Sequence, residues 1–344
     1  MRILSFKICV IGCGEHASKV HGPSYKKYAQ VMKDTVLAGC CDLNEANALK
    51  FKEKFGFRKS YNDFRIMLKA EKPDAVCIIV PEKAVCQVSI AVMEMGYPVL
   101  IEKPPGLNKS ETLRMAAAAA KAGVINQVAF NRRYLPLINK LKEEISYHID
   151  GTPQSIFYEF YRNRRAEDNF ETTAIHGIDA VKHIAGSDYK EIKFAYQELG
   201  YLGKNVANIF LDCIFENGIH ARLNFCPCAG VILERAVVNA YDHTFFLNTP
   251  IWDGFDTPGK LVHVKDGKLQ EEILGSQLGG GEEMFETNGF YSENYTFFNN
   301  VKKVIINVDS IESCLQVVEI AECIENRLSE YHKEENNGKN MSRC

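Results

Sequence analysis

A glycine loop set between an apolar strand and a helix constrains this chain most. Phe6-Lys7-Ile8-Cys9-Val10-Ile11 runs directly into Gly12-Cys13-Gly14-Glu15-His16-Ala17, and a helical pattern continues to about Met32. A short apolar run that ends in G-x-G and opens a helix reads as the start of a βαβ unit. Parallel strands need a right-handed crossover to pair, so this opening commits the chain to an α/β layer. Gly12 permits the tight turn, and Gly14 lets the backbone approach a pyrophosphate. Ala17 stands where a third glycine often falls and keeps helix and strand close. The helix start, at Glu15 and His16, then faces the phosphates of a dinucleotide.

The same alternation repeats. Apolar runs at 36–41, 75–80, 98–101 and 125–130 read as buried strands, separated by helical patterns at 45–55, 62–69, 83–95 and 110–122. Strands this apolar are covered on both faces, which predicts a doubly wound parallel sheet over residues 1–130. The character changes after about residue 150. Strand patterns at 154–161, 205–215, 219–225 and 231–240 have only one helix among them, at 173–185, and Glu216-Asn217-Gly218 marks a hairpin turn. This predicts a second domain at 131–330 with a large open, mostly antiparallel sheet. Gly279-Gly280-Gly281 marks a loop. Two helices, at 290–304 and 311–327, close the fold, the last packing back on the first domain. Residues 331–344 read as a disordered tail.

The 344 residues suit two domains, and a net charge of -3 offers no broad basic surface for nucleic acid or an anionic membrane. No apolar run reaches the ~20 residues that span a bilayer. The 12 cysteines form no C-x-x-C pair and no zinc-finger spacing. They read as reduced core residues of a cytoplasmic protein, with no metal site expected.

Asp42 ends the second strand, where a carboxylate accepts both ribose hydroxyls of adenosine and repels a 2′-phosphate, so NAD is expected rather than NADP. An Asp before Leu43-Asn44-Glu45 also suits a helix start, and the two roles are compatible. Val99-Leu100-Ile101-Glu102-Lys103-Pro104 puts a lysine at the C-terminal end of a parallel strand, the edge where such sheets bind ligands. On composition alone Lys103 reads better as a solvated loop lysine.

Gly12-x-Gly14, Asp42, Glu102-Lys103-Pro104, Phe130-Asn131-Arg132-Arg133-Tyr134 and Ile175-His176-Gly177-Ile178-Asp179 together resemble the Gfo/Idh/MocA oxidoreductases, named for glucose–fructose oxidoreductase, inositol dehydrogenase and a rhizopine catabolism protein. The Phe-Asn-Arg-Arg-Tyr segment is similar to the MviM-like branch. The resemblance implies a Rossmann domain joined to a sheet domain that mediates homodimers or homotetramers. It implies reversible hydride transfer between NAD and a carbinol of a sugar, sugar derivative or cyclitol. Lys103 matches the family's catalytic lysine and His176 its catalytic histidine, a general base. Pro81 and Glu102 fall near the cofactor. The family's Asp four residues before the histidine is Thr172 here, while an Asp-x-x-x-His pair occurs one turn later as Asp179 and His183. The flanking residues align His176 rather than His183, and Asp179 stands one turn away to orient it. Arg132, Tyr161 and Arg162 are expected to face the substrate. Two other functions fit the same residues: a glycosidase that retains NAD and oxidises transiently, and a non-catalytic NAD-binding regulator.

Overall fold

A computed structural model describes residues 5–278, 281–305 and 309–334. The chain opens with β1 (Phe6–Ile11), one turn wound as a π-helix (Ala17–His21), and α1 (Gly22–Val31). There follow β2 (Thr35–Cys41), α2 (Glu45–Phe55), β3 (Lys59–Tyr61), α3 (Phe64–Glu71), β4 (Ala75–Ile78), α4 (Glu82–Glu94), β5 (Val99–Glu102), α5 (Lys109–Ala122) and β6 (Asn126–Ala129). These six strands form one parallel sheet in the order β3-β2-β1-β4-β5-β6. The order reverses between β1 and β4, which opens a crevice at their C-terminal ends. Local chemistry sets the boundaries. Asn44 caps α2 by accepting from the Ala46 amide, and Gly56 ends it in the left-handed region at φ 84°. Asn108 caps α5 by accepting from the Glu111 amide. The edge strand β3 is three residues long and only partly buried, so it carries no apolar run to read from sequence.

The second half begins with α6 (Pro136–His148), β7 (Ser155–Tyr161) and α7 (Glu171–Ala185). It continues through β8 (Tyr189–Glu198), β9 (Ala207–Phe215), β10 (His220–Cys226), β11 (Leu233–Ala240), β12 (His243–Asn248), β13 (Lys260–Lys265) and β14 (Lys268–Leu274). Then come α8 (Met284–Thr287), α9 (Phe290–Lys303), α10 (Leu315–Glu325) and β15 (Glu330–His332). The nine strands lie in the order β14-β13-β12-β11-β7-β10-β9-β8-β15. Every pairing is antiparallel except β7 with β10. The hairpin expected at Glu216-Asn217-Gly218 joins β9 to β10, with Gly218 at φ 87°. On the inner face α7 lies close because Gly177 has no side chain: a Cβ there would stand 2.8 Å from the Phe225 ring and 3.0 Å from Phe160. That close seat fixes where His176, the preceding residue, points.

The C-terminal helices tie the halves together. Phe298 of α9 packs its ring 4.8 Å from Tyr28 and 6.1 Å from Phe6. Helix α10 packs against both α5 and α7, so two helices and not one return to the first domain. The expected tail is ordered at its start. Tyr331 pairs with Ile192 in the sheet, and the Lys333 ammonium lies 2.6 Å from Asp188 and 2.8 Å from Glu216. The rest of that tail, 335–344, and Gly279 and Gly280 of the triple-glycine loop lie outside the described residues.

Candidate active site

The dinucleotide crevice is built mostly from backbone. Gly12 sits at φ 96°, and a Cβ there would fall 1.8 Å from the Ile79 carbonyl oxygen, so the loop crosses the end of β4 only as glycine. A Cβ on the exposed Gly14 would meet nothing within 4 Å. The loop therefore leaves open room above the first turn, where Glu15 and His16 are also exposed. Ala17 is fully buried against the strand layer, as its place in the motif predicts. Asp42 does two local jobs: it accepts from the Cys13 amide at 2.8 Å and from the Asn44 amide at 2.8 Å. It thus braces the glycine loop and stays half-buried at the crevice edge. Amides at a helix start, an open glycine cradle and a carboxylate at the end of the second strand form a donor set that fits a dinucleotide with a free ribose.

Next to this crevice is a cavity of about 530 Å³ between the two sheets. Lys103, at the end of β5, and His176, on α7, both line it, with His16, Glu82, Arg132, Arg162 and Trp252 among their neighbours. The Lys103 ammonium donates to the Thr172 carbonyl at 2.9 Å. Burial pushes the Lys103 pKa down; Glu102 and Glu82 oppose the fall, while Arg132 and Arg165 add to it. The His176 Nδ1 is buried with no hydrogen-bond partner. Burial, reinforced by Arg132 and Lys103, drives the His176 pKa well below its ordinary value, so the ring is neutral. Glu102 reaches back from the same strand. Its Oε1 lies 2.7 Å from His21 Nε2 and 3.1 Å from His16 Nε2, and its Oε2 accepts from the Lys103 amide at 3.1 Å. Although burial opposes ionisation, the two histidines hold the Glu102 carboxyl well below the usual range. Asn294 supports His21 from behind, with its Nδ2 3.1 Å from Nδ1. Pro81 is exposed and stands just before α4, beside Glu82.

Four expectations change. Thr172 meets Lys103 through its backbone carbonyl, while its hydroxyl donates to the Asn169 carbonyl at 3.0 Å. Asp179 does not orient His176: it is buried and clasped by Arg133, whose Nε donates to Oδ2 at 2.9 Å. The guanidinium fork engages both carboxylate oxygens, and the His176 Nδ1 has no hydrogen-bond partner. Tyr161 lies on the other face of the sheet, where its hydroxyl donates to Glu159 at 2.8 Å. Successive strand residues alternate, and Tyr158 and Phe160 already take the inner face. Arg132 and Arg162 do line the cavity, but neither is free. Both pair with Glu234 of β11, Arg132 through Nη2 to Oε1 at 2.6 Å, and Tyr158 donates to the same carboxylate at 2.8 Å. Glu234, like His21 and Trp252, was not singled out from sequence. Its signal was there: it shares the inward phase of Ala236 and Val238, and a carboxylate in that phase needs buried cations. Trp252 holds a positive φ of 54° and its ring lies 4.6 Å from the Lys19 ammonium at the cavity rim.

A parallel sheet with a glycine cradle, joined to an open sheet that presents a histidine above the strand ends, defines a two-domain architecture with a dinucleotide-binding half. Residues 6–130 match the family described as "Oxidoreductase family, NAD-binding Rossmann fold", GFO_IDH_MocA. It is similar to D-glucoside 3-dehydrogenase of Escherichia coli, 28% identical over 145 residues that make up 42% of this chain and 40% of that protein. It is also similar to myo-inositol 2-dehydrogenase of Thermotoga maritima, 28% identical over 198 residues, 54% of this chain and 57% of the relative. The matches span about half the length of these relatives. Among solved structures, an oxidoreductase domain protein from Kribbella flavida shares the fold with a TM-score of 0.82 at 17% identity, over 96% of this chain and 100% of that one. A levoglucosan dehydrogenase complex with NADH and levoglucosan does so with a TM-score of 0.81 at 18% identity, over 95% of this chain and 99% of its own. At such identities the likeness is one of fold.

Proposed function

We propose that this protein is an NAD-dependent dehydrogenase of a sugar, sugar derivative or cyclitol, with Lys103 and His176 as its catalytic residues. The observation that carries this reading is the pairing of a partly buried lysine with a neutral histidine. Both face one cavity at the C-terminal edge of the Rossmann sheet, beside the glycine cradle. NAD bound there supplies the hydride acceptor. The chain's own residues handle the proton. His176, uncharged, accepts the hydroxyl proton of the substrate. Lys103, held by the Thr172 carbonyl, donates a hydrogen bond to the same oxygen and stabilises the charge that develops on it. Glu102 fixes the amide of Lys103 and, through His21, ties β5 to the first helix. Thr172 supplies no carboxylate beside the base; among the described residues that line the cavity, the acids are Glu82 and Glu167.

The arginine pair bears on the substrate class. Arg132 and Arg162 share one carboxylate, Glu234, so the buried trio keeps one net positive charge. That suits a neutral polyol or one carrying a single negative group, and it disfavours an amino sugar. Phe157, Phe210 and Phe246 are exposed on the outer face of the nine-stranded sheet, which favours assembly of copies through that face into a homodimer or homotetramer. The cysteines among the described residues are free, which favours the reducing cytoplasm. No described helix is long and apolar enough to cross a membrane.

The test is turnover of NAD to NADH with purified protein and a panel of sugars and cyclitols. Wild type is expected to reduce NAD with at least one of them. Lys103→Ala should lose ~100-fold or more of turnover while binding NAD as before. Unchanged turnover in that variant would remove Lys103 from the chemistry. Product formed without net NADH would replace the dehydrogenase by an enzyme that oxidises only transiently.

A further inference from the structure

A second cluster of histidines lies apart from the cavity and takes no part in the proposed reaction. His148 is at the C-terminal end of α6, His243 begins β12 and His263 is in β13. His243 and His263 are buried on the inner face, and His148 closes the group from the solvent side. One nitrogen from each ring lies within 4.8 Å of the other two. The rings of His148 and His263 are 4.5 Å apart between centroids, and those of His243 and His263 are 5.0 Å apart. Glu144, one turn before His148, places its Oε2 3.1 Å from the His148 Nε2. We propose that His148, His243 and His263 form a binding site for a divalent transition-metal ion of the zinc type, with Glu144 orienting His148.

Three imidazoles are a donor set that suits zinc, copper or nickel and not magnesium or calcium, which take oxygen. A carboxylate holding the outer edge of one ligand histidine is the usual support of such a site, and it offsets part of the ion's charge. The closest contact, His243 Nδ1 to His263 Nε2 at 2.8 Å, is a hydrogen bond between the two rings, so one of these nitrogens carries a proton that must shift to the other nitrogen of its ring before both can ligate. Two ligands on a tetrahedral zinc stand about 3.3 Å apart, given bonds of roughly 2.05 Å. The pair thus needs to open by about half an ångström, which a small rotation of either ring supplies. Lys140 also pairs with Glu144, at 2.5 Å, and competes for its charge. A bound ion would clamp the end of α6 to the β12–β13 hairpin and keep a fourth position for water.

The test is zinc titration of the chelator-treated full chain by calorimetry, with Co²⁺ as the spectroscopic substitute. One ion per chain is expected, with the visible bands of tetrahedral Co²⁺ and a raised melting temperature. His148→Ala should weaken zinc binding at least ~tenfold and abolish the bands. Because His148 is exposed, that variant should keep the fold. His263→Asn should act the same way, and His16→Ala should leave uptake unchanged. No uptake at micromolar zinc would leave only the histidine–histidine hydrogen bond and overturn the proposal. Uptake that survives His148→Ala but is lost in His16→Ala would also overturn it, and would place the ion at His16, His21 and Glu102 instead.

Discussion

The two walls of the active-site cleft are made from different materials. On the Rossmann side the crevice is formed by backbone: a glycine loop, the first turn of a helix, and Asp42 bonded to two main-chain amides. On the sheet side the cavity is formed by buried charges. Arg132 and Arg162 line it and converge with Tyr158 on Glu234. A backbone wall recognises a group common to all dinucleotides and depends on a few positions where no side chain fits. A charged wall can be retuned for different substrates, but each member is buried and depends on its partners. The walls should therefore fail differently when altered.

The largest effect is expected on the charged side. Glu234→Ala leaves two buried guanidiniums without their counter-ion, a change that costs about 3–5 kcal/mol. Urea denaturation should show that loss, with the Rossmann domain of the variant still able to bind NAD. A loss below about 1 kcal/mol would mean that water or substrate-side groups satisfy the arginines, and the contrast between walls would collapse. Next comes Gly12→Ala. A positive φ costs an L-residue about 1–2 kcal/mol, and here the new Cβ would also press on the Ile79 carbonyl. NAD binding should be lost with a smaller fall in stability. If Gly12→Ala binds NAD normally, the loop has moved away from β4 and the backbone account of that wall is wrong.

Acid should separate the halves as well. Burial, with Lys142 and Arg133 adding, lowers the His183 pKa to about 3, and His176 is lowered too. A histidine whose folded pKa lies below its unfolded value stabilises fully above the unfolded pKa, and that stability is lost as pH falls from there. For His183 the loss begins near pH 6.5 and reaches about 2 kcal/mol at pH 5. Glu102, in the Rossmann domain, is also lowered, but its contribution is lost only as pH falls below 4.5. Hydrogen exchange between about pH 7 and pH 5 should therefore show α7 loosening before β5. His183→Gln should flatten that dependence; equal loosening of both elements would break the comparison.

The same contrast explains what could be read in advance. Gly12, Asp42 and Lys103 each sit at the end of an apolar strand, so local sequence placed them at the binding edge. Lys103 and His176 were paired only by family resemblance, because no local rule joins positions on two sheets. Tyr161 was misplaced by ignoring strand phase: Tyr158 and Phe160 point inward, so Tyr161 points out. Asp179 is one turn from His176, but its partner Arg133 arrives from the chain after β6, a contact invisible to helix spacing. The four-strand stretch from β11 to β14 with its histidines was only partly seen for the same reason. His148, His243 and His263 belong to a helix and two strands brought together by the fold, and no motif spacing links them.

The smallest expected effect tests whether the backbone wall also reads cofactor identity. Asp42 braces the loop through Cys13 and Asn44 whether or not a cofactor is bound. If it also accepts the ribose hydroxyls, Asp42→Ala removes hydrogen bonds to a charged acceptor worth about 1.5–3 kcal/mol, or roughly 10–100-fold in NAD affinity. The loss for NADP should be much smaller, because the variant also removes the repulsion of the 2′-phosphate. Calorimetric titration with each cofactor distinguishes the roles. Unequal losses assign Asp42 to the ribose. Equal losses would make it a brace for the glycine loop alone, and the preference for NAD would then have to come from the open shape of the crevice rather than from its one carboxylate.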